Sequence, residues 1–256
     1  MRDNLKRQQD ETPAGPEHPR SSPIEHRVAA ANWDDIGAAL DADGFAIIAG
    51  LLDAEACGAI ARFYPEDNRF RSHIDMARHG FGRGEYKYFA YPLPDAVGAL
   101  RTALYPSLAS IANRWSEALD EKPRFPKRHS DFLKRCHDAG QIRPTPLLLK
   151  YVAGDYNCLH QDLYGDHVFP LQVAVLLSKP GEDFIGGEFV LAEQRPRMQS
   201  RASVVPLRRG DAVVFAVHHR PVRGVKGSYR VNLRHGVSTV QSGERYTLGI
   251  IFHDAK

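Results

Sequence analysis

From Thr145 to the carboxyl end the chain is written as short apolar runs cut by turn residues, and this constrains its fold more than any other feature. The runs are LLLKYVAG, FPLQVAVLLS, GGEFVLAE, ASVVPLRRGDAVVFAV, YRVNLRHGVSTV and ERYTLGIIF, bounded by Gly, Pro, Asp and Asn. Such runs read as strands. Several short strands that follow helices predict a β-sandwich or jelly roll buttressed by helices, an α+β architecture.

Upstream the period changes. NWDDIGAALDADGFAIIAGLLDAEACGAIARFY reads as a helix with Trp33, Ile36 and Leu40 on one face, a strand over Phe45–Ile48 and a second helix from Asp53. A further helical stretch places Val97, Leu100, Leu104, Leu108, Ile111 and Trp115 in register, with an interruption or kink expected near Pro106. Residues 31–144 are therefore expected to be mainly helical, with a strand or two, and 145–256 to form the jelly-roll core. Residues 1–30 are dense in Pro, charge and Gln. They bury too little apolar surface to offset ordering entropy and are expected to be a disordered tail.

Composition excludes some classes. A chain of 256 residues that is 43% hydrophobic and 25% charged suits a soluble globular protein. No apolar run approaches the roughly 18 residues of a membrane span, and the first residues lack the apolar centre of a signal peptide. With three scattered cysteines, Cys57, Cys136 and Cys158, the expectation is a cytoplasmic protein with free thiols, Cys158 being a small buried filler.

Three His-x-Asp pairs occur, at His73 and Asp75, His129 and Asp131, and His160 and Asp162. On a strand, residues i and i+2 project from one face and can converge on one ion; on a helix they point to nearly opposite sides. His129 and Asp131 open a probable helix, with Ser130 or Asp131 as its N-cap. No strand is evident around His73, and only His160 and Asp162 adjoin β runs. A third ligand is offered by His235, followed ten residues later by Arg245. Two histidines and a carboxylate on one face of iron leave positions open for a chelating cosubstrate and oxygen. His218 and His219, at the end of a predicted strand, are the rivals of His235 or else rim residues.

If residues 241–243 form a hairpin loop with Gly243 left-handed, Thr239 pairs with Arg245, and His235, Arg245 and Thr247 share a face. The four residue steps from His235 to Thr239 cover about 13 Å of strand. A long guanidinium arm and a five-carbon dicarboxylate can close that gap, one acid end on the metal and the other on Arg245 with Thr247 assisting.

Taken in order, Tyr151 and Gly154, His160 and Asp162, the GGEF of residues 186–189, the GDAVVF of 210–215, the HGV of 235–237, and Gly243 with Arg245 resemble the 2-oxoglutarate and Fe(II)-dependent dioxygenases, in their prolyl-hydroxylase-like branch. The likeness covers about residues 145–253. Over 30–254 the chain is similar to stand-alone bacterial oxygenases proposed, by analogy with AlkB demethylases, to oxidise damaged nucleic-acid bases. The resemblance implies a double-stranded β-helix, Fe(II) on His160, Asp162 and His235, and 2-oxoglutarate and O2 as cosubstrates. It also implies a hydrogen bond from Tyr151 to the cosubstrate and hydroxylation of a substrate C–H bond. The stretch between Asp162 and His235 is long for the family, which predicts an insertion at 195–201 or 218–226.

Substrate class is approached through charge. Residues 1–100 hold 11 Lys/Arg against 16 Asp/Glu, whereas 195–235 hold ten basic residues and the single Asp211. A one-signed block attracts anionic partners. A nucleic-acid substrate would place Arg220, Arg223 and Lys226 on phosphates and stack a base on Tyr86 or Tyr88, with DNA repair as the setting. The glycines Gly80, Gly82 and Gly84 suggest a mobile lid bearing Arg83, Tyr86, Lys87 and Tyr88. A protein or peptide hydroxylase of prolyl type is the alternative, and a metal-free jelly-roll binding module is disfavoured by the complete ligand set.

Overall fold

The structure, a computed structural model, describes residues 23–122, 124–162 and 165–256. Of the expected tail, residues 1–22 lie outside the described residues. The remainder is a correction, because Pro23–Ala30 forms helix α1, with Val28 buried and the Trp33 indole donating to the Val28 carbonyl. One inserted valine, with Arg27 paired to Asp53, anchors a segment whose composition alone gave no reason to fold.

Helix α2 (Trp33–Asp43) starts where the Asn32 side chain accepts from the Asp35 N–H, and ends at Gly44 in the left-handed conformation. Strand β1 (Phe45–Ile48) and helix α3 (Ala54–Ala61), capped by Asp53, follow as expected. The next region departs from expectation. Strands β2 (Phe70–Asp75), β3 (Gly82–Arg83) and β4 (Glu85–Phe89) lie where a mainly helical reading and a lid were expected. Their sequences show little apolar alternation because charged members are satisfied internally: Lys87 is buried, 2.6 Å from Asp67 and 3.0 Å from the Tyr64 carbonyl.

Helix α4 (Asp95–Ala118) runs as one element through Pro106, so the helix is not interrupted there. Burial of Leu100, Leu104, Leu108, Ile111 and Trp115 along one stripe outweighs the missing Pro106 N–H. Helix α5 (His129–Asp138) begins at His129, with Arg128 at the cap position. Asp131 pairs with Arg128 and is not the cap.

Ten strands complete the fold: β5 (Leu147–Val152), β6 (Tyr156–His160), β7 (Leu171–Leu176), β8 (Phe184–Gly186), β9 (Phe189–Gln194), β10 (Arg201–Val205), β11 (Ala212–Ala216), β12 (His219–Gly224), β13 (Gly227–Val237) and β14 (Val240–Ile250). They make two antiparallel sheets. The large one runs β1-β11-β7-β14-β5-β4-β2, with β8 on the start of β14, and the small one runs β10-β9-β13-β6-β3, with β12 beside β13. This is the jelly roll predicted from the β runs. The β12–β13 hairpin, paired from His219 with Asn232 to Gly224 with Gly227, lies at the second expected insertion.

The helices cover the large sheet, and α4 also pins the chain end. Arg101, buried on α4, donates to Asp254 at 2.7 Å and to the Ile251 and His253 carbonyls at 2.8 and 3.0 Å. That clamp fixes the segment after β14, whose inner face lines the site.

Candidate active site

His160 and His235 are directly opposed across the β6 and β13 ladder, their ring centroids 4.2 Å apart. Asp162 lies two residues beyond the end of β6. Its carboxylate oxygens stand 3.5 Å from His160 Nε2 and 3.5 Å from His235 Nε2. One donor atom from each residue falls within 4.8 Å of the others, the single such group among the described residues.

The donor chemistry fits a divalent metal. His160 Nδ1 lies 2.7 Å from the Cys158 carbonyl oxygen. A carbonyl only accepts, so Nδ1 carries the proton and Nε2 presents its lone pair to the site. Burial, and then the neighbouring His235, push the His160 pKa down and favour the neutral, ligating imidazole. His235 is buried, and its Nδ1 has no partner among the described residues.

The other His-x-Asp pairs are separated by their partners. His73 and Asp75 do lie on a strand, β2, which corrects the reading of an irregular stretch. His73 nevertheless bonds Glu85 at 2.6 Å, while Asp75 caps the Ala77 N–H. His129 is a buried structural residue on the Phe252 carbonyl at 2.8 Å. The rivals of His235 also fall away: His219 faces His218 at 2.9 Å and Glu121 at 3.3 Å, and neither histidine lines the cavity described next. Cys158 is exposed, not a buried filler, and meets the site only through its carbonyl.

The ligands open onto a cavity of about 290 Å³ between the sheets, lined also by Tyr151, Arg245 and Thr247. The expected hairpin at 241–243 is absent. The chain crosses from the small sheet to the large one at Ser238 and Thr239, and residues 240–243 belong to β14, paired with β8. Bonds from the Ser238 N–H to Glu188 O and from the Val240 N–H to Asp155 O fix the crossing. His235 and Arg245 thus face each other across the sandwich and do not share a strand face.

Arg245 is 1% exposed, donates to Thr247 Oγ1 at 2.6 Å and leaves its Nε unpartnered among the described residues. Burial pushes its pKa down to about 10, which marks a cation lacking a close counter-ion. Tyr151, opposite Arg245 on β5, is fully buried, with the guanidinium carbon 5.6 Å from its ring centre. Gly187 makes room: a Cβ there would lie 2.8 Å from Val240 and 3.0 Å from Arg245 Cδ. The seat suits a carboxylate.

Of the expected substrate residues, Tyr86 and Tyr88 line the cavity, their rings edge to face at 5.4 Å. Both sit on β4 within the large sheet, so the expected mobile lid is a pair of sheet strands. Arg83 is exposed on β3, outside the cavity lining. Arg220 is 2% exposed, bonded to Glu193 at 2.5 Å and to the Asp41 carbonyl. It cannot contact a phosphate, which corrects that assignment. Arg223 is exposed on the β12–β13 hairpin, also outside the lining. Arg195, Arg201 and Arg230, themselves at the surface, are paired with carboxylates, so with Arg220 four of the ten basic residues have an acidic partner among the described residues. Sequence reasoning missed Phe81, Gln172, Phe189 and Phe215 in the lining. Gln172 alone carried a signal, as the polar residue in the apolar run LQVAVL.

A protein family described as an oxygenase catalysing oxidative methylation of damaged DNA matches residues 84–255. The chain belongs to this family. It is 50% identical over 200 residues, 78% of this chain and 84% of theirs, to the uncharacterized proteins Rv2227 and MT2286 from two strains of Mycobacterium tuberculosis. Among solved structures it is similar in fold to a Pseudomonas putida prolyl-4-hydroxylase, with a TM-score of 0.50, 14% identity, and 88% of this chain and 99% of that one covered. The prolyl hydroxylase from Trichoplax adhaerens, solved with a hypoxia inducible factor peptide fragment, gives 0.50 at 15% identity, over 89% and 90%. The non-heme alpha ketoglutarate dependent epimerase SnoN gives 0.52 at 16%, over 85% and 80%. The protein is an oxygenase of that family, with the fold of the 2-oxoglutarate and Fe(II)-dependent enzymes and a donor set able to hold a metal ion, in line with the resemblance. No helix among the described residues is long and apolar enough to cross a membrane.

Proposed function

We propose that the protein oxidatively demethylates damaged nucleic-acid bases, with Fe(II) on His160, Asp162 and His235 and 2-oxoglutarate on Arg245, Thr247 and Tyr151. The carrying observation is the convergence of three donor atoms within 4.8 Å and a buried Arg245 without an ion pair among the described residues, all on one cavity. When bound, iron supplies the oxidation: 2-oxoglutarate and O2 yield succinate and carbon dioxide, and one oxygen atom enters the substrate C–H bond. A hydroxylated N-methyl group leaves as formaldehyde and restores the base N–H.

The chain's own residues do the positioning. Cys158 O holds His160 in the ligating tautomer. Arg245 and Thr247 orient the distal carboxylate of the cosubstrate, whose chelating end then faces the ligands. Phe189 and Phe215 pack on His235 at 6.0 and 4.5 Å and keep water from that side. Tyr86 and Tyr88 offer faces on which an extruded base can stack.

Purified protein with Fe(II) and 2-oxoglutarate should release formaldehyde and succinate from a methylated oligonucleotide. His160→Ala, Asp162→Ala and His235→Ala should each abolish both products. Retained activity in His235→Ala alongside loss in His218→Ala or His219→Ala would overturn the ligand assignment. Turnover of a peptide but of no oligonucleotide would replace the substrate reading with the peptide hydroxylase one.

A further inference from the structure

We propose that Gln172 reads the substrate, its buried amide recognising the N7 and N6 edge of an adenine held over the metal ligands. This rests on the nucleic-acid reading above and adds the class of base.

Gln172 belongs to β7, whose other five residues are all apolar and buried. It is itself 5% exposed, and its Nε2 has no hydrogen-bond partner among the described residues. An unpaired buried amide is costly to folding, so a strand that retains one beside a cavity calls for a ligand atom to satisfy it. Nothing in the metal or cosubstrate chemistry uses this group.

Its position sets it apart from the cosubstrate seat. Gln172, Ala174 and Leu176 share the inner face of β7. Leu176 pairs with Thr247, which marks the carboxylate end of the site. Gln172 lies four residues further on, about 13 Å along the strand. A five-carbon acid anchored at Arg245 and Thr247 spans roughly 6 Å between its ends, from bonds near 1.5 Å. Its chelating end therefore stops short of Gln172. The cross-strand partner of Gln172 is Phe215, whose ring lies 4.5 Å from that of His235. Gln172 thus neighbours the Phe215 ring that packs on His235, lies along β7 away from Arg245, and lines a cavity shared with Tyr86, Tyr88 and Phe81. That combination, an aromatic wall and one polar reader, suits a flipped base.

The amide chemistry selects among bases. A primary amide presents a donor and an acceptor side by side. When a base is alkylated on its pairing edge, the edge that faces the major groove remains free. Guanine offers two acceptors there, cytosine only a donor, and thymine an acceptor beside a methyl group. Adenine alone offers an acceptor, N7, beside a donor, N6–H, which matches glutamine in a bidentate pair.

The test measures binding without turnover, by fluorescence anisotropy of single-stranded oligonucleotides with Mn(II) and 2-oxoglutarate in the absence of oxygen. With one 1-methyladenine in the strand, Gln172→Met and Gln172→Glu should each bind about tenfold more weakly than wild type, the scale of one lost base contact. Replacing that base with its 7-deaza counterpart, which lacks the acceptor, should weaken wild type to a similar degree and leave Gln172→Met unchanged. The melting temperature of Gln172→Met should not fall, because the substitution removes an orphaned donor at nearly constant volume. Equal losses on 7-deaza substitution in wild type and variant would overturn the proposal. So would a Gln172→Met effect confined to 2-oxoglutarate affinity, titrated without nucleic acid. Wild-type failure to bind any methylated oligonucleotide sinks the nucleic-acid reading and this inference together. Tight wild-type binding with an unaffected Gln172→Met sinks this inference alone.

Discussion

Arg245 illustrates how a single residue can be legible in type and hidden in placement. Its spacing after His235 suggested a partner for a dicarboxylate, and the structure puts it fully buried, bonded to Thr247 and to no carboxylate among the described residues. A lysine there keeps the charge but loses the planar fork. Arg245→Lys should weaken 2-oxoglutarate binding at least tenfold, read by titrating the cosubstrate into Mn(II)-loaded protein, while metal affinity stays within about twofold. Unchanged cosubstrate affinity would remove Arg245 from the site. The three His-x-Asp pairs teach the complementary lesson. Local pattern favoured His160 over His73 because no strand was evident around His73, yet both lie on strands; the bond from His73 to Glu85 and the approach of His235 to Asp162 are what separate them.

At the scale of elements, the strand runs after Thr145 were readable because strand residues alternate or are uniformly apolar over short lengths. How the strands join was not. Residues 241–243 look like a hairpin loop, yet β14 starts at Val240 and Gly243 pairs with Phe184 of β8, just past a register shift between Val240 and Ser242. Gly243 is left-handed as expected, with φ 79°, and a Cβ there would lie 2.0 Å from the Asp183 carbonyl oxygen. Gly243→Ala should therefore destabilise the fold by about 1–3 kcal/mol or more, seen as a lower urea midpoint. Displacement of β8 from β14 should also weaken 2-oxoglutarate binding, since Arg245 lies two residues on. A midpoint equal to that of wild type would show that the β8 contact is dispensable.

Across the whole molecule, two buried histidines tie stability to pH. His129 bonds the Phe252 carbonyl, and His253 accepts the Phe169 N–H at 3.2 Å. Burial, and then the nearby Arg101, push both pKa values down to about 4. In the unfolded chain a histidine titrates near 6.5. Between about pH 6.5 and about pH 4 the unfolded chain therefore holds protons that the folded one refuses. Their contribution is complete above pH 6.5 and is lost as pH falls through that window, at roughly 1 kcal/mol per pH unit for each. Urea midpoints should drop between pH 7 and pH 5. His129→Gln, which keeps a donor for Phe252 O, should shallow that drop. Identical midpoints at the two pH values would contradict the account.

What the sequence by itself determined is local: which stretches after Thr145 are strands, where Asp53 starts a helix, which residue types can hold iron, and that a guanidinium follows the distal histidine. Each of these depends on neighbours within a few positions, where periodicity and capping chemistry act. Only the tertiary structure decided which residues meet. His160 and His235 lie far apart in the chain yet face each other across one ladder. Arg245 reaches the same cavity from the opposite sheet, and Arg220, which looked like a phosphate contact, is consumed by Glu193 inside the protein. A metal site needs three donors converging within a few ångströms, and a buried charge needs its partner; both conditions are set by sheet register and the packing of two layers, which no window of sequence contains.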